Sequence, residues 1–241
     1  MIRVLVVSDN LKLVLHLQAK VCGNTIQDIA HFEFCYSAAN KNPEMLIKQG
    51  MGAIDLSSDE VCERVISHYD LVLSIHCKQI FPGTLVKAVA CINFHPGFNP
   101  YNRGWYPQVF SILNQQPIGA TIHLMDEMVD HGRVIAQERI EILPTDTSLS
   151  VYNRVIELEK KLISENLEVI LLGRYEACVP SSDGNYNSIQ DFQRVCRLDM
   201  SSMGTLREHI NLLRALSHGD FKNAYFVEGE RKIYVSVNLS D

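Results

Sequence analysis

Residues 91–135 read CINFHPGFNPYNRGWYPQVFSILNQQPIGATIHLMDEMVDHGRVI, and the fold turns on how this stretch is built. An apolar run from Ala88 to Ile92 carries Asn93 and His95 up to a break at Pro96-Gly97. That is the pattern of the carboxyl end of a buried parallel strand, the end at which open α/β sheets place ligands. Two apart on a strand, Asn93 and His95 project to the same side. Gly119 to Met125 alternates like a strand, Asp126 to Gly132 is an acidic loop closed by glycine, and Val134 to Ile142 is another β-type run. Asp130, on that loop, can fold back beside His95. Taken alone, the three side chains fit two readings: a reactive site, or a capped turn, a satisfied core histidine and a tight acidic turn.

Outward from this stretch the chain reads as α/β. Ile2 to Val7 is a continuous apolar run, expected as the first, central, parallel strand. Ser8-Asp9-Asn10 then caps a helix starting near Leu11, and a helix N-terminus behind a strand can receive anionic groups or be a plain cap. Ile29 to Phe34 and Ala53 to Leu56 are expected as edge or second-layer strands, Ser57-Ser58-Asp59-Glu60 as a capping box opening a helix from Asp59 to Ser67, and Asp70 to Ile75 as the next buried strand. Lys78, beyond that strand, can meet a phosphate or stay solvated, and Ile80 and Phe81 can wall an apolar slot. Phe98 to Pro107 holds too many Asn, Pro and Gly for a regular element and predicts an ordered loop leading to a helix from Tyr106 to Leu113. In that loop Arg103 either grips an anion or pins the loop through carbonyls, and Trp105 is expected to seat the loop on the helix.

Leu143 to Thr147 ends the β run and caps a long helix, Ser148 to Leu172, stopped by Gly173. Pro180 to Asn187 is the linker candidate. The tail holds a capping box, Thr205 to Glu208, a helix to Ser217, and a hairpin with strands Asn223 to Val227 and Lys232 to Leu239. So small a unit has a meagre core of its own, so it should dock on the main domain or a second subunit. Phe221 and Tyr225 belong to that docking, or one of them stacks on a base. The expected organisation is a main domain over residues 1–180 and a small helix and β-hairpin region over 181–241.

A chain of 241 residues, 46% apolar, can bury a sizeable core, and a net charge of −6 with no basic run argues against a nucleic-acid surface. Seven cysteines with no C-x-x-C and no metal-ligand spacing read as reduced thiols, with no metal expected. No stretch reaches the length of a membrane span, and the apolar start is too short for a signal peptide, so the expectation is a soluble, cytoplasmic protein without membrane contact.

Asn-x-His-Pro-Gly at 93–97, Asn-Arg-Gly-Trp-Tyr-Pro at 102–107, Gly-Ala-Thr-Ile-His at 119–123, Met125-Asp126 and Asp130-x-Gly132 together resemble the formyltransferases that use 10-formyltetrahydrofolate. The likeness spans Ile2 to Ile142. With Ser-x-His-Cys-Lys-Gln-Ile-Phe-Pro at 74–82, the variant looks most like the sugar N-formyltransferases. The resemblance implies a mostly parallel, Rossmann-like sheet with helices on both faces, and a catalytic trio at Asn93, His95 and Asp130. It implies 10-formyltetrahydrofolate as cosubstrate and a dTDP-linked amino sugar, dTDP-4-amino-4,6-dideoxyglucose, as acceptor. The pterin is then expected near Ile80, Phe81, Met125 and Asp126, and the nucleotide-sugar near Ser8, Asn10, Lys78 and Arg103. A homodimer through the C-terminal region and a product destined for a bacterial surface polysaccharide, such as a lipopolysaccharide O-antigen, complete the picture.

Formyl transfer to an amine passes through a tetrahedral intermediate, so a site must hold an oxyanion and remove a proton. Asn93 through its amide and His95 as a protonated imidazole can donate to that oxygen, while Asp130 orients the imidazole, raises its pKa and accepts the proton directly or through water. His123 and His131 are expected to be structural. The rivals are a formyltransferase for a 3-amino sugar or glycinamide ribonucleotide, a non-catalytic folate or nucleotide-sugar binder, and a hydrolase releasing formate.

Overall fold

The computed structural model describes residues 1–22 and 24–240. The chain opens with β1 (Ile2–Ser8), where Val4, Leu5, Val6 and Val7 are all fully buried, as a strand covered on both faces requires. Asn10 caps α1 (Leu11–Val21), its Oδ1 accepting the Leu13 N–H at 3.2 Å. Then come α2 (Asn24–Gln27), β2 (Ala30–Ser37), α3 (Glu44–Ile47) and β3 (Gly52–Ile54). The cap of α4 (Asp59–His68) is Ser58, which accepts from the Val61 N–H, so the expected reciprocal box from Ser57 to Glu60 does not form. After it run β4 (Leu71–Ile75), α5 (Gly83–Ala88), β5 (Ala90–His95), the two-residue β6 (Arg103–Gly104), α6 (Pro107–Asn114), β7 (Ile118–Leu124) and β8 (Val134–Ile140). The long α7 (Ser148–Leu171) precedes β9 (Tyr186–Asn187), α8 (Ile189–Cys196), α9 (Leu206–Leu216), and the hairpin of β10 (Tyr225–Glu228) and β11 (Arg231–Tyr234).

Seven of these strands form one sheet in the order β3-β2-β1-β4-β5-β7-β8. Neighbours from β3 to β5 are parallel, whereas β7 and β8 add antiparallel. From β1 the chain winds outward through β2 and β3, then returns to β4 on the other side. The crevice between β1 and β4 is therefore a topological switch point, open at the strands' carboxyl ends. Alternation sorts β1 between two cores. Val4 and Val6 pack with Leu13 and Leu17 of α1 and with Ile163 and Leu167 of α7. Leu5 and Val7 face Cys62 and Val65 of α4 and Leu85 of α5. At about 25 cal/mol per Å² of apolar area, each fully buried Val or Leu contributes about 1.5–3 kcal/mol before its ordering entropy.

Two segments differ from their expected form. Residues 180–187 are stitched to the loop after β5: β9 pairs in parallel with β6, and the buried Asn102 Oδ1 accepts from Asn114, Asn185 and Asn187 at 2.9, 2.7 and 3.2 Å. The supposed linker is thus a clamp. The tail carries α8 in addition to its expected helix, opened by a Ser188–Asp191 capping box. Its hairpin is also shorter than expected, because the chain after Tyr234 turns back onto the end of α9, Val237 N–H donating to Ser217 Oγ at 2.9 Å. The tail docks on the main domain: Ala215, Leu216 and Ala224 share a core with Val109, Ile112, Val151 and Val155. Buried Arg214 fastens it by donating to the carbonyls of Leu143 and Asp146 at 2.8 and 3.0 Å.

Gly119 lets β7 and β8 approach so closely that a Cβ there would lie 2.0 Å from the Glu138 carbonyl oxygen. Gly119→Ala is expected to lower stability by about 1–3 kcal/mol, in the range of overpacked interiors, as read from chemical denaturation; an unchanged midpoint would show that the two strands can part freely.

Candidate active site

Strand β5 brings Asn93 and His95 to one side, and its antiparallel partner β7 sets His123 opposite Asn93. The loop from β7 to β8 folds back over them through Asp130, whose φ of 51° lies in the left-handed region that Asp tolerates better than most residues. Two side chains from the loop after β5 hold that turn: Asn99 Nδ2 donates to the Asp130 carbonyl at 2.9 Å, and Arg103 Nη1 to the Val129 carbonyl at 3.4 Å. The Asp130 carboxylate is nearly surrounded. Its Oδ1 accepts from Asn93 Nδ2 at 2.9 Å and lies 3.5 Å from His123 Nε2; its Oδ2 accepts from the Gly104 N–H at 3.1 Å and lies 3.3 Å from His95 Nδ1.

Burial pushes the Asp130 carboxyl up, but His95, His123 and the Gly104 N–H outweigh it and hold the group below the usual carboxylate range. For His95 the balance runs the other way. Burial dominates and takes the imidazole down from 6.5 to about 4, with Asp130 only partly offsetting. Burial thus disfavours the protonated imidazole in the free protein, against the expectation from the sequence. Its Nδ1–H faces Asp130, and its Nε2 is buried with no hydrogen-bond partner. His123 donates from Nδ1 to the Leu124 carbonyl at 2.8 Å, and its Nε2 lies 3.3 Å from Asn93 Nδ2 and 3.5 Å from Asp130 Oδ1. His123 thus belongs to the cluster. His131 does not: it is half-exposed and paired with Asp126 at 2.9 Å.

The cluster lies at a cavity of about 650 Å³ over the switch point. Asn10, Lys78, Ile80, Phe81, Met125 and Asp126 all line it. Phe81 is buried and Ile80 is 77% exposed at the rim, so they form floor and lip of an apolar slot. Lys78 Nζ is held by Asn40 Oδ1 at 2.9 Å, and Asp126 by the Met128 N–H and His131. Ser8 and Arg103 are not on the lining. Ser8 is fully buried, with its Oγ accepting the Asn10 N–H at 3.2 Å. Arg103 spends its guanidinium on the carbonyls of Val129 and Asp183, so of its two readings the structure takes the pin over the anion grip. Trp105 is 40% exposed on the lining, its ring tilted against Tyr106 at 5.8 Å between centroids, and Tyr106 in turn lies tilted against Phe192 of α8 at 4.1 Å.

Several lining groups were not singled out in the sequence. His76 sits at the end of β4 with φ 54°, its Nε2 on the buried Glu159 carboxylate of α7 at 2.8 and 3.0 Å. Glu159 was detectable as an acid on the apolar stripe of α7, four residues from Val155 and from Ile163. Tyr152, Ser148, His218 and Phe221 complete that end. Tyr225 packs in the tail's core, whereas Phe221, expected to dock with it, is 69% exposed at the rim.

Residues 19–167 match the formyl transferase family, and residues 191–241 match an N-formyltransferase dimerization C-terminal domain. The chain belongs to the formyl transferase family. It is an N-formyltransferase, an enzyme that transfers a one-carbon group. A dTDP-4-amino-4,6-dideoxyglucose formyltransferase of Mycobacterium tuberculosis is 50% identical over 184 residues, 75% of this chain and 79% of the relative. A sugar N-formyltransferase structure from Shewanella is 47% identical and superposes with a TM-score of 0.98 over 100% of this chain and 98% of the other. A 4-N formyltransferase from Francisella tularensis superposes at 0.91 with 38% identity, over 100% and 98% of the chains.

Gly97 makes room for the His95 ring in this formyltransferase, since a Cβ there would fall 2.3 Å from Nε2. Gly97→Ala is expected to displace the imidazole from Asp130 and to cost about 10²-fold or more in kcat, as a misplaced catalytic group does, with little change in melting temperature; parental turnover would contradict the placement. In an NMR titration, assigned with His95→Gln, the His95 ring should titrate near about 4 and show no midpoint near 6.5.

Proposed function

We propose that this formyltransferase moves a formyl group from 10-formyltetrahydrofolate to the amine of a dTDP-linked amino sugar, dTDP-4-amino-4,6-dideoxyglucose in the first instance. The observation that carries the reading is the unpartnered Nε2 of a neutral His95, clamped through Nδ1 on an ionised Asp130 at the edge of the cavity. That is the state a proton acceptor needs before an amine attacks. The choice of a 4-amino sugar rests on the mycobacterial and Francisella relatives, which are 50% and 38% identical.

The residues on the lining suit the cosubstrate. The slot between Phe81 and Ile80, continued by Met125 beside the acidic loop, offers a flat heterocycle an apolar seat with main-chain groups at its edge. When bound there, the folate supplies an activated formyl carbon. As the acceptor nitrogen bonds to that carbon, its proton passes to His95 Nε2 and the new imidazolium is stabilised by Asp130. The ring then holds an N–H that can donate to the oxyanion and later return a proton to the departing nitrogen. Asn93 has both amide hydrogens engaged, but the longer bond, 3.3 Å to His123, is the one that can be exchanged for the oxyanion. A single such donor typically supplies 10²–10³ in rate.

The nucleotide-sugar fits the other end, between Asn10, Lys78 and the tail's Phe221, whose exposed ring offers the base a stacking face. The reading includes a catalytic unit over residues 1–180, a homodimer formed through residues 181–241, and a cytoplasmic enzyme whose product enters a surface polysaccharide. Among the described residues no helix is long and apolar enough to cross a membrane.

Turnover with 10-formyltetrahydrofolate should be fastest with the dTDP-4-amino sugar, slower with a dTDP-3-amino sugar, negligible with glycinamide ribonucleotide and absent without acceptor. His95→Ala and Asp130→Ala should each lose about 10²–10⁴-fold in kcat, and Asn93→Ala about 10²–10³-fold. Preference for another amine would overturn the acceptor, and formate release without any amine would replace transfer by hydrolysis.

A further inference from the structure

Where Asn10, His76 and Tyr152 line the cavity, the hydrogen-bond directions can be assigned one after another from a fixed starting point. Asn10 is the N-cap of α1, and its Oδ1 is committed to the Leu13 N–H at 3.2 Å. That contact decides which way the amide faces, since an oxygen, not an NH₂, must accept from a backbone N–H. Nδ2 therefore points at the remaining partners, His76 Nδ1 at 3.3 Å and Tyr152 Oη at 3.0 Å, and donates one hydrogen to each. His76 Nδ1 is accordingly an acceptor and the ring carries its hydrogen on Nε2, which donates to the Glu159 carboxylate at 2.8 Å.

The same logic reaches Tyr152. Its oxygen accepts from Asn10, and among the described residues its own O–H makes no hydrogen bond. The phenol is kept protonated: burial, and then the Glu159 charge, push it up to about 12. It lines the cavity beside Asn10 and His76, and its ring is held edge-on by His218 at 5.5 Å between centroids. Here is a part-buried donor with its hydrogen unspent, a fixed ring and a fixed lone-pair partner, on the lining of the cavity.

We propose that Tyr152 is a substrate-binding residue that donates its phenolic hydrogen to an oxygen of the nucleotide-sugar, and that Asn10 fixes this polarity. The inference rests on the acceptor being a nucleotide-sugar, and goes beyond it in naming the group and the direction of the bond. A diphosphate oxygen and a sugar hydroxyl share the accepting chemistry. His76 supports the arrangement by bonding the buried Glu159 carboxylate, which would otherwise be uncompensated.

The test compares the parent with Tyr152→Phe, which removes one hydroxyl and leaves the ring. Calorimetric binding of dTDP and of dTDP-4-amino-4,6-dideoxyglucose is measured alongside the KM for each substrate. The expected result is an acceptor affinity weaker by about 10-fold, in keeping with one lost hydrogen bond to a polar or charged oxygen, with the KM for 10-formyltetrahydrofolate unchanged. Weakening already with dTDP places the bond on the diphosphate; weakening only with the full sugar nucleotide places it on the sugar. Unchanged affinity for both, or an equal rise in the folate KM, would overturn the proposal and leave Tyr152 a structural residue. Failure of the parent itself to bind either nucleotide would instead overturn the acceptor on which the proposal rests.

Discussion

A buried carboxylate must be ionised and fully hydrogen-bonded or else be neutralised, and the loops of this protein are arranged around that demand at Asp130. Its oxygens take hydrogens from Asn93 and Gly104 and face His95 and His123. Those groups come from three pieces of chain: β5, the loop after it, and β7. The constraint explains why the loop of residues 98–107 is ordered without being regular, since Gly104 must offer its N–H, Asn99 must hold the Asp130 carbonyl, and Arg103 must hold that of Val129. It explains the clamp from residues 183–187, which fixes the same loop from outside through Asn102 and the β6–β9 pairing. Removing one donor would leave a buried charge short of a partner, so the network behaves as a unit.

The sheet adds a second condition. Parallel pairing as far as β5 sets the carboxyl ends of β1, β4 and β5 side by side, and the antiparallel β7 then returns beside β5, delivering His123 next to Asn93. A continued parallel sheet would have needed a crossover there and would have put the acidic loop elsewhere. The cavity has two chemically different ends as a result. One, near Phe81 and Met125, is apolar with acidic residues at its edge. The other, around Asn10, His76, Tyr152 and Glu159, is a chain of directed hydrogen bonds anchored on a helix cap and a buried acid. The tail closes this second end with His218 and Phe221, which ties a region matching a dimerization domain to the wall of the cavity.

The sequence by itself determined the strands and the central trio. Continuous apolar runs ending in small polar residues mark parallel strands wherever they occur, and β1, β4 and β5 lie within a few residues of where those runs end. Asn93 and His95 share a side because the strand period is two, a property local to the chain. The Asp130 loop was legible through the residue pattern of a known family. Helix caps were legible only in part: the box at Thr205 forms as read, the one at Ser188 went unread, and the one at Ser57 gives way to a simple cap at Ser58.

What only the tertiary structure decided were quantities that depend on surroundings. His95 is neutral because burial outweighs one neighbouring carboxylate, a balance no spacing encodes. Arg103 faces the carbonyls of Val129 and Asp183, 26 and 80 residues away, and not the cavity, whereas Trp105 is on the cavity lining, outcomes that no local spacing encodes. His76 and Glu159, 83 positions apart, become a pair only when α7 crosses the end of β4. Local sequence sets what a residue can donate, accept or bury; the fold sets which partner is within reach, and charge state follows from the partner.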